Sequence, residues 1–179
     1  MNKTLKITLT AVFTALCVVT NIFTIPLNPS ATQVFSFVYF LCFVAGIYLG
    51  PISGACVGFL GDFIGHLIHP LGAYNPLIGL SCMLLGVIPA LMWKLKWKNW
   101  IKLALSFVIC LVICTAFLNC LGIYLFINSS KGFFAFMLGR MAFQAPVALG
   151  NLVLIYIVVA SKFVDKLLLK ANANFSKEN

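Results

Sequence analysis

The stretch GPISGACVGFLGDFIGHLIHPLGAYNP, residues 50–76, decides how this chain is read. Gly50-Pro51 makes a tight reversal. An apolar run follows, broken only by Asp62 and two His residues, and it ends in a short loop rich in His, Pro and Gly. Such a run reads as a membrane span. A charge at a bilayer centre costs about 2.5 kcal/mol or more, so it is placed against a bundle interior or a wet cavity. Asp62 is the one carboxylate set inside such a run, which makes it a candidate site residue.

The rest of the chain agrees with a membrane reading. Of 179 residues, 63% are hydrophobic and only 8% charged, and mean hydropathy is +1.10, too little polar surface to cover a soluble globule. A span needs about 20 mainly apolar residues, so this length with short loops holds five or six helices and no soluble catalytic domain. The net charge of +9 does not argue for nucleic acid, because the Lys residues sit at span ends and in one loop, where positive charge sets topology. Lys3 and Lys6 before an apolar run resemble a signal peptide, but no small-residue cleavage site stands near Pro26, and the segment reads as a retained first helix. The seven Cys residues lie inside apolar runs with no CxxC pair, as small packing residues do.

Outward from the central stretch, the spans fall at about residues 5–25, 33–49, 52–68, 76–93, 103–127 and 133–161. Lys clusters at the start, after the fourth span (Lys94, Lys96, Lys98 and Lys102, with Trp93, Trp97 and Trp100 between them) and at the end (Lys162, Lys166, Lys170) predict six spans with both termini cytoplasmic. The expected fold is an all-α six-helix membrane bundle forming one domain over residues 1–170, with a polar, frayed cytoplasmic tail at 171–179. Residues 26–32, 69–75 and 128–132 would then be outer loops. Ala11 and Ala15 form a small-xxx-small pair on the first helix, and Gly54, Gly58, Gly61 and Gly65 recur at helical spacing on the third; either lets a helix or a ligand approach closely.

Asp62, His66 and His69 are four and three apart and share one stripe, running from mid-membrane towards the outer mouth. A metal site is not expected, since no other span supplies a carboxylate or His. Asp62 either contacts a ligand or holds helices together. On the last helix Arg140 is the only Arg of the chain; with Gln144 one turn and Asn151 three turns further in, it forms a second polar stripe. A guanidinium there snorkels, pairs with Asp62 or a lipid phosphate, or binds an anion. If the stripes face each other they line one outward cavity, to which Asn119 and the loop residues Tyr74 and Asn75 would add. Pro146 should bend the last helix or free a carbonyl. No GxxxxGK[ST], GxSxG or HExxH motif occurs, so no catalytic residue, cofactor or ATP site is expected in this chain.

At GPISGACVGFLGDFIGHLIHPLGAYNPLIGLSCMLLGVIPAL, residues 50–91, the sequence resembles the substrate-binding S components of energy-coupling factor (ECF) transporters, most closely their folate group. The matching positions are Gly50-Pro51, Gly61-Asp62, Pro70, Gly72, Tyr74, Pro76 and Ser81. His66, His69 and Asn75 depart from that pattern. The resemblance implies capture of a vitamin from outside and its delivery by toppling in a bacterial plasma membrane. The energy would come from two partner ATPase subunits and a T component docked on Ala11 and Ala15. It implies folate as ligand, with Arg140 or Lys131 on the carboxylates and Asp62 or Asn119 on the amino and amide edge of the ring. Pantothenate or another small anionic vitamin would use the same Arg. Beside these stand a lone ion-coupled carrier of small solutes with Asp62 as relay, an intramembrane enzyme built on Asp62 and the two His, and a purely structural subunit.

Overall fold

The computed structural model describes residues 3–26, 34–70, 72–127 and 132–175. Lys131 and most of residues 26–32 and 128–132, expected as outer loops, lie outside these residues. Helix α1 (Lys3–Ile22) carries a run of threonines, whose hydroxyls return to the carbonyl four residues back, at 2.8 Å for Thr10, Thr14 and Thr20. This satisfies them within the helix and leaves its outer face compatible with lipid. The chain then forms a short antiparallel ribbon of β1 (Ile25–Pro26) and β2 (Val34–Phe35), pairing Ile25 with Phe35 and Pro26 with Val34.

The ribbon was not expected, and it shortens the second span. That span begins at Val38 rather than at residue 33, so α2 (Val38–Leu49) has only 12 residues. Gly50 (φ 91°) turns the chain in a conformation open to glycine, and Pro51 starts α3 (Pro51–Ile68) at the position where its missing N–H costs nothing. Helix α4 (Pro76–Met92) starts the same way behind Asn75, whose side chain accepts from the Leu77 N–H at 3.0 Å. Then α5 (Asn99–Cys110), a wider π-helical segment (Leu111–Asn119) and α6 (Cys120–Ile127) run end to end as one rod. Helix α7 (Phe133–Ser161) ends at Lys162, which is left-handed (φ 51°), and α8 (Phe163–Phe175) follows. Residues 171–175, expected to fray, are thus helical.

Among the described residues four helices are long and apolar enough to cross a membrane: Lys3–Ile22, Pro51–Ile68, Asn99–Leu125 and Phe133–Ser161. α2 and α4 are apolar but shorter, and α2 at about 1.5 Å per residue falls well short of a bilayer core. α2 and α4 lie at the centre, where Phe43, Cys42, Val57, Leu85, Cys110 and Ile155 form a buried core, while Ile52, Phe134 and Leu138 face outward as lipid-contacting residues do. The lysine-bearing ends gather at one end of the bundle. Lys6 reaches to within 3.7 Å of where a Cβ on Gly50 would stand, α8 packs on α1, and the Lys102 ammonium sits 5.3 Å from the centre of the Trp93 ring.

Candidate functional site

Glycine spacing on α3 sets up the site. A Cβ on Gly54 would stand 2.7 Å from the Gly86 carbonyl oxygen, and one on Gly58 would overlap the Cys82 carbonyl, so this half of the stripe admits α4. The other half admits α1: Cβ atoms on Gly61 and Gly65 would meet Cys17 and Asn21. Four small residues therefore draw two helices onto α3, and Asp62, next along the same face, is closed between them. It is only 9% exposed. The Asn21 amide nitrogen lies 3.5 Å from Asp62 Oδ1 and from the carbonyl oxygens of Gly61 and Asp62, and the Cys82 thiol donates to Oδ1 at 3.7 Å.

Asp62 faces a cavity of about 140 Å³ at the ribbon end of the bundle. Polar groups from five places converge on it: Asn21 and Thr24 at the end of α1, Ser36 and Tyr39 at the start of α2, Asp62, Thr115 and Asn119 of the π segment, and Gln144 and Asn151 of α7. Val38, Ile78, Leu85 and Val147 supply apolar wall. The wall is held by its own hydrogen bonds. Asn151, 2% exposed, donates to the carbonyls of Ser36 and Val147 at 3.1 and 3.0 Å and accepts from the Phe40 N–H at 3.2 Å. Gln144 donates to the Val34 carbonyl at 3.2 Å, and the Tyr39 and Thr115 hydroxyls bond each other at 2.9 Å. A π-helical turn is a frequent device at functional sites, and here it aims Thr115 and Asn119, one turn apart, into the same space.

The two stripes expected from the sequence do meet, but only in part. Asp62, Asn119, Gln144 and Asn151 share the cavity. Arg140 does not line it: the residue is 5% exposed, its guanidinium lies beside Cys120 of α6, and its Nε and Nη1 have no partner among the described residues. It does not pair with Asp62. His66 packs edge-on against Tyr74 with ring centres 5.3 Å apart, and His69 ends α3 at the surface; neither lines the cavity. Asn75 is the cap of α4 and rests against Gly122, a structural post rather than part of the lining. Tyr74 also lies outside the lining, wedged against Phe63 and His66, with its hydroxyl buried over Gly79 and without a partner among the described residues. Burial, then the nearby Asp62 charge, raises the pKa of this phenol. Ala11 and Ala15 are exposed on the outer face of α1 beside Val12 and Leu16. Among the described residues no three His, Cys, Asp or Glu side chains are arranged to hold a metal.

Sequence reasoning missed Asn21, Thr24, Ser36, Tyr39 and Thr115. An amide and hydroxyls near helix ends are ordinary there, and only the approach of α1 to the α3 glycines could have singled out Asn21.

No curated protein matches the chain. A family model described as the ECF transporter, substrate-specific component, matches residues 5–159.

Proposed function

The chain belongs to the family of ECF transporter substrate-specific components, and on that premise we propose that it captures a small water-soluble vitamin in the cavity beside Asp62 and hands it to an ATP-driven partner module. Members are integral membrane transport components rather than enzymes, and they partner T and ATPase modules. The observation that carries the ligand site is the convergence of Asp62, Asn119 and Gln144 from three separate chain segments on one cavity at the end away from the lysine clusters. That end then faces outside, with both termini cytoplasmic, in a bacterial plasma membrane, and the two short helices complete a six-helix bundle over residues 1–170. ATP is used by the partner subunits. The exposed Ala11 and Ala15 are the docking face for the T component, because small residues let a partner helix approach closely in lipid.

Folate is the ligand that the sequence resemblance puts first. Asp62 and Asn119 suit the amino and amide edge of its ring, whereas Arg140, outside the lining, leaves its carboxylates to be met elsewhere. His66, His69, Tyr74 and Asn75 stand at the outer end as support for the mouth. The test is coexpression with T and ATPase subunits, then vitamin uptake into proteoliposomes. Copurification and uptake that stops without ATP are expected. Uptake by this chain alone would favour the ion-coupled carrier.

A further inference from the structure

The start of α5, at the lysine-bearing end of the bundle, gathers positive charge with nothing set against it. Among the described residues the Asn99 and Trp100 N–H groups that open this helix have no backbone acceptor, and Lys98 at the cap position makes no side-chain bond to them. No acidic residue occupies the first turn. A helix start carries partial positive charge and favours an anion, so lysines placed there set like charge beside like. Lys98 and Lys102, four apart and on one face, stand at this start all the same.

Lys102 is the telling residue. It is only 9% exposed, whereas Lys94, Lys96 and Lys98 are exposed. Its side chain leans back towards the start of the helix, as helical side chains do, and its ammonium rests 5.3 Å from the centre of the Trp93 ring, at the far end of the loop that leads into α5. Among the described residues this ammonium has neither a hydrogen bond nor an ion pair. The described carboxylates are engaged elsewhere: Asp62 lines the cavity at the ribbon end, and Asp165 of α8 acts on Tyr48 of α2. Topology requires only that lysines stand on this side, not that one be drawn in against an indole at a helix start. A buried cation, a second cation one turn before it and two open N–H groups together make a seat for a phosphate group, whose oxygens accept from several N–H donors at once.

The apolar rim indicates where that phosphate comes from. Leu95, Trp97 and Trp100 are exposed around the same loop and alternate with the lysines, as on a surface that lies where acyl chains meet headgroups. A soluble phosphate has no use for such a rim.

We propose that the start of α5 binds the phosphate of an anionic phospholipid headgroup through Lys98, Lys102 and the first N–H groups of the helix, with the acyl chains of that lipid against Trp97 and Trp100. This rests on the membrane reading alone and is independent of the ligand that the cavity takes.

The three tryptophans of the chain, Trp93, Trp97 and Trp100, all stand at this site, so tryptophan fluorescence reports on it directly. The full-length protein in phosphatidylcholine nanodiscs is titrated with phosphatidylglycerol whose brominated acyl chains quench that fluorescence. A parallel titration uses brominated phosphatidylcholine, which has the same phosphate but offsets it with its own cation. The anionic lipid should quench at a bilayer fraction at least about fivefold lower. Lys98→Gln combined with Lys102→Gln should remove that preference. Lys166→Gln combined with Lys170→Gln, an equal loss of charge at the same end of the bundle, should retain it to within about twofold. Equal quenching of the unaltered protein by the two lipids overturns the proposal, and that comparison holds even if a variant fails to fold. Equal loss of preference in both double variants would also overturn it, leaving only diffuse attraction, and loss of the preference in millimolar inorganic phosphate would give the site to a soluble anion instead.

Discussion

Asn21 of α1 and Asp62 of α3 meet side chain to side chain at 3.5 Å, across a contact that exists because Gly61 and Gly65 leave room for α1. One amide group thus holds a buried carboxylate and ties the first helix to the third. Removing it leaves Asp62 with only the Cys82 thiol on its carboxylate among the described residues. Asn21→Leu should cost about 1–3 kcal/mol, the range for stranding a buried hydrogen-bonding group, and lower the melting temperature in detergent. An unchanged melting temperature would show that the carboxylate does not depend on this contact.

Glycines should separate into two kinds on substitution. Gly58→Ala puts a methyl group into the Cys82 carbonyl, and neither backbone can yield without parting α3 from α4. Folding yield should collapse. Among the described residues nothing lies within 4 Å of where a Cβ on Gly139 or Gly150 of α7 would stand, so alanine there should be tolerated and should stabilise the helix by up to about 1 kcal/mol. Monodispersity in size-exclusion chromatography and the melting temperature check both halves; a well-folded Gly58→Ala would contradict the packing described for α3 and α4.

Arg140 offers a sharper contrast, because its place in the fold departs from the reading of its sequence. With Nε and Nη1 buried, the guanidinium carries a desolvation cost that neither a hydrogen bond to these atoms nor an ion pair offsets among the described residues. Arg140→Met should therefore be neutral or stabilising, and should leave affinity for a ligand in the cavity within about twofold, since no contact to it is lost. Calorimetry on the variant decides the matter. A loss of more than tenfold would return Arg140 to the ligand site.

Much of the architecture was legible because apolar runs and lysine clusters report lipid and interface directly. The reversal at Gly50-Pro51 and the long last helix stand where the sequence put them. The β ribbon was not legible: Ile25 and Pro26 look like the end of a span, and strands as short as Ile25–Pro26 and Val34–Phe35 carry no alternating pattern. Helix α8 was missed although its apolar residues recur at helical spacing, because Lys166 and Lys170 within it read as the topology cluster that closes the last span. Asp62, Asn119 and Gln144 stand out in the sequence because polar groups in apolar runs are conspicuous, and all three line the cavity. Arg140 and Gln144 are one turn apart, yet Gln144 meets the ribbon while Arg140 meets α6, a difference of neighbours that spacing along one helix does not encode.

The exposed face of α1 separates binding from assembly. Ala11 and Ala15 contribute nothing to the buried core, whereas Cys17 on the opposite side is fully buried. Replacing both alanines with leucine should leave folding and ligand affinity unchanged and abolish copurification with the T component, because bulky side chains hold a partner helix away. Intact copurification of the double variant would move the docking face elsewhere.

Thiol labelling tests the cavity without altering any residue. Six of the seven cysteines are buried and only Cys56 is partly exposed, so in the folded protein a maleimide should react first at Cys56. Among the buried six, Cys82 alone lines the cavity. A small water-soluble methanethiosulfonate should therefore reach it slowly while the other five stay unmodified, and a ligand seated beside Asp62 should slow that reaction further. Mass spectrometry of peptides after timed labelling, with and without ligand, reads each cysteine separately. Protection at Cys82 that leaves Cys56 unchanged is the expected pattern, because Cys56 is not among the lining residues. Equal protection at both would mean that the ligand tightens the whole bundle, and unprotected Cys82 under saturating ligand would place the binding site outside this cavity.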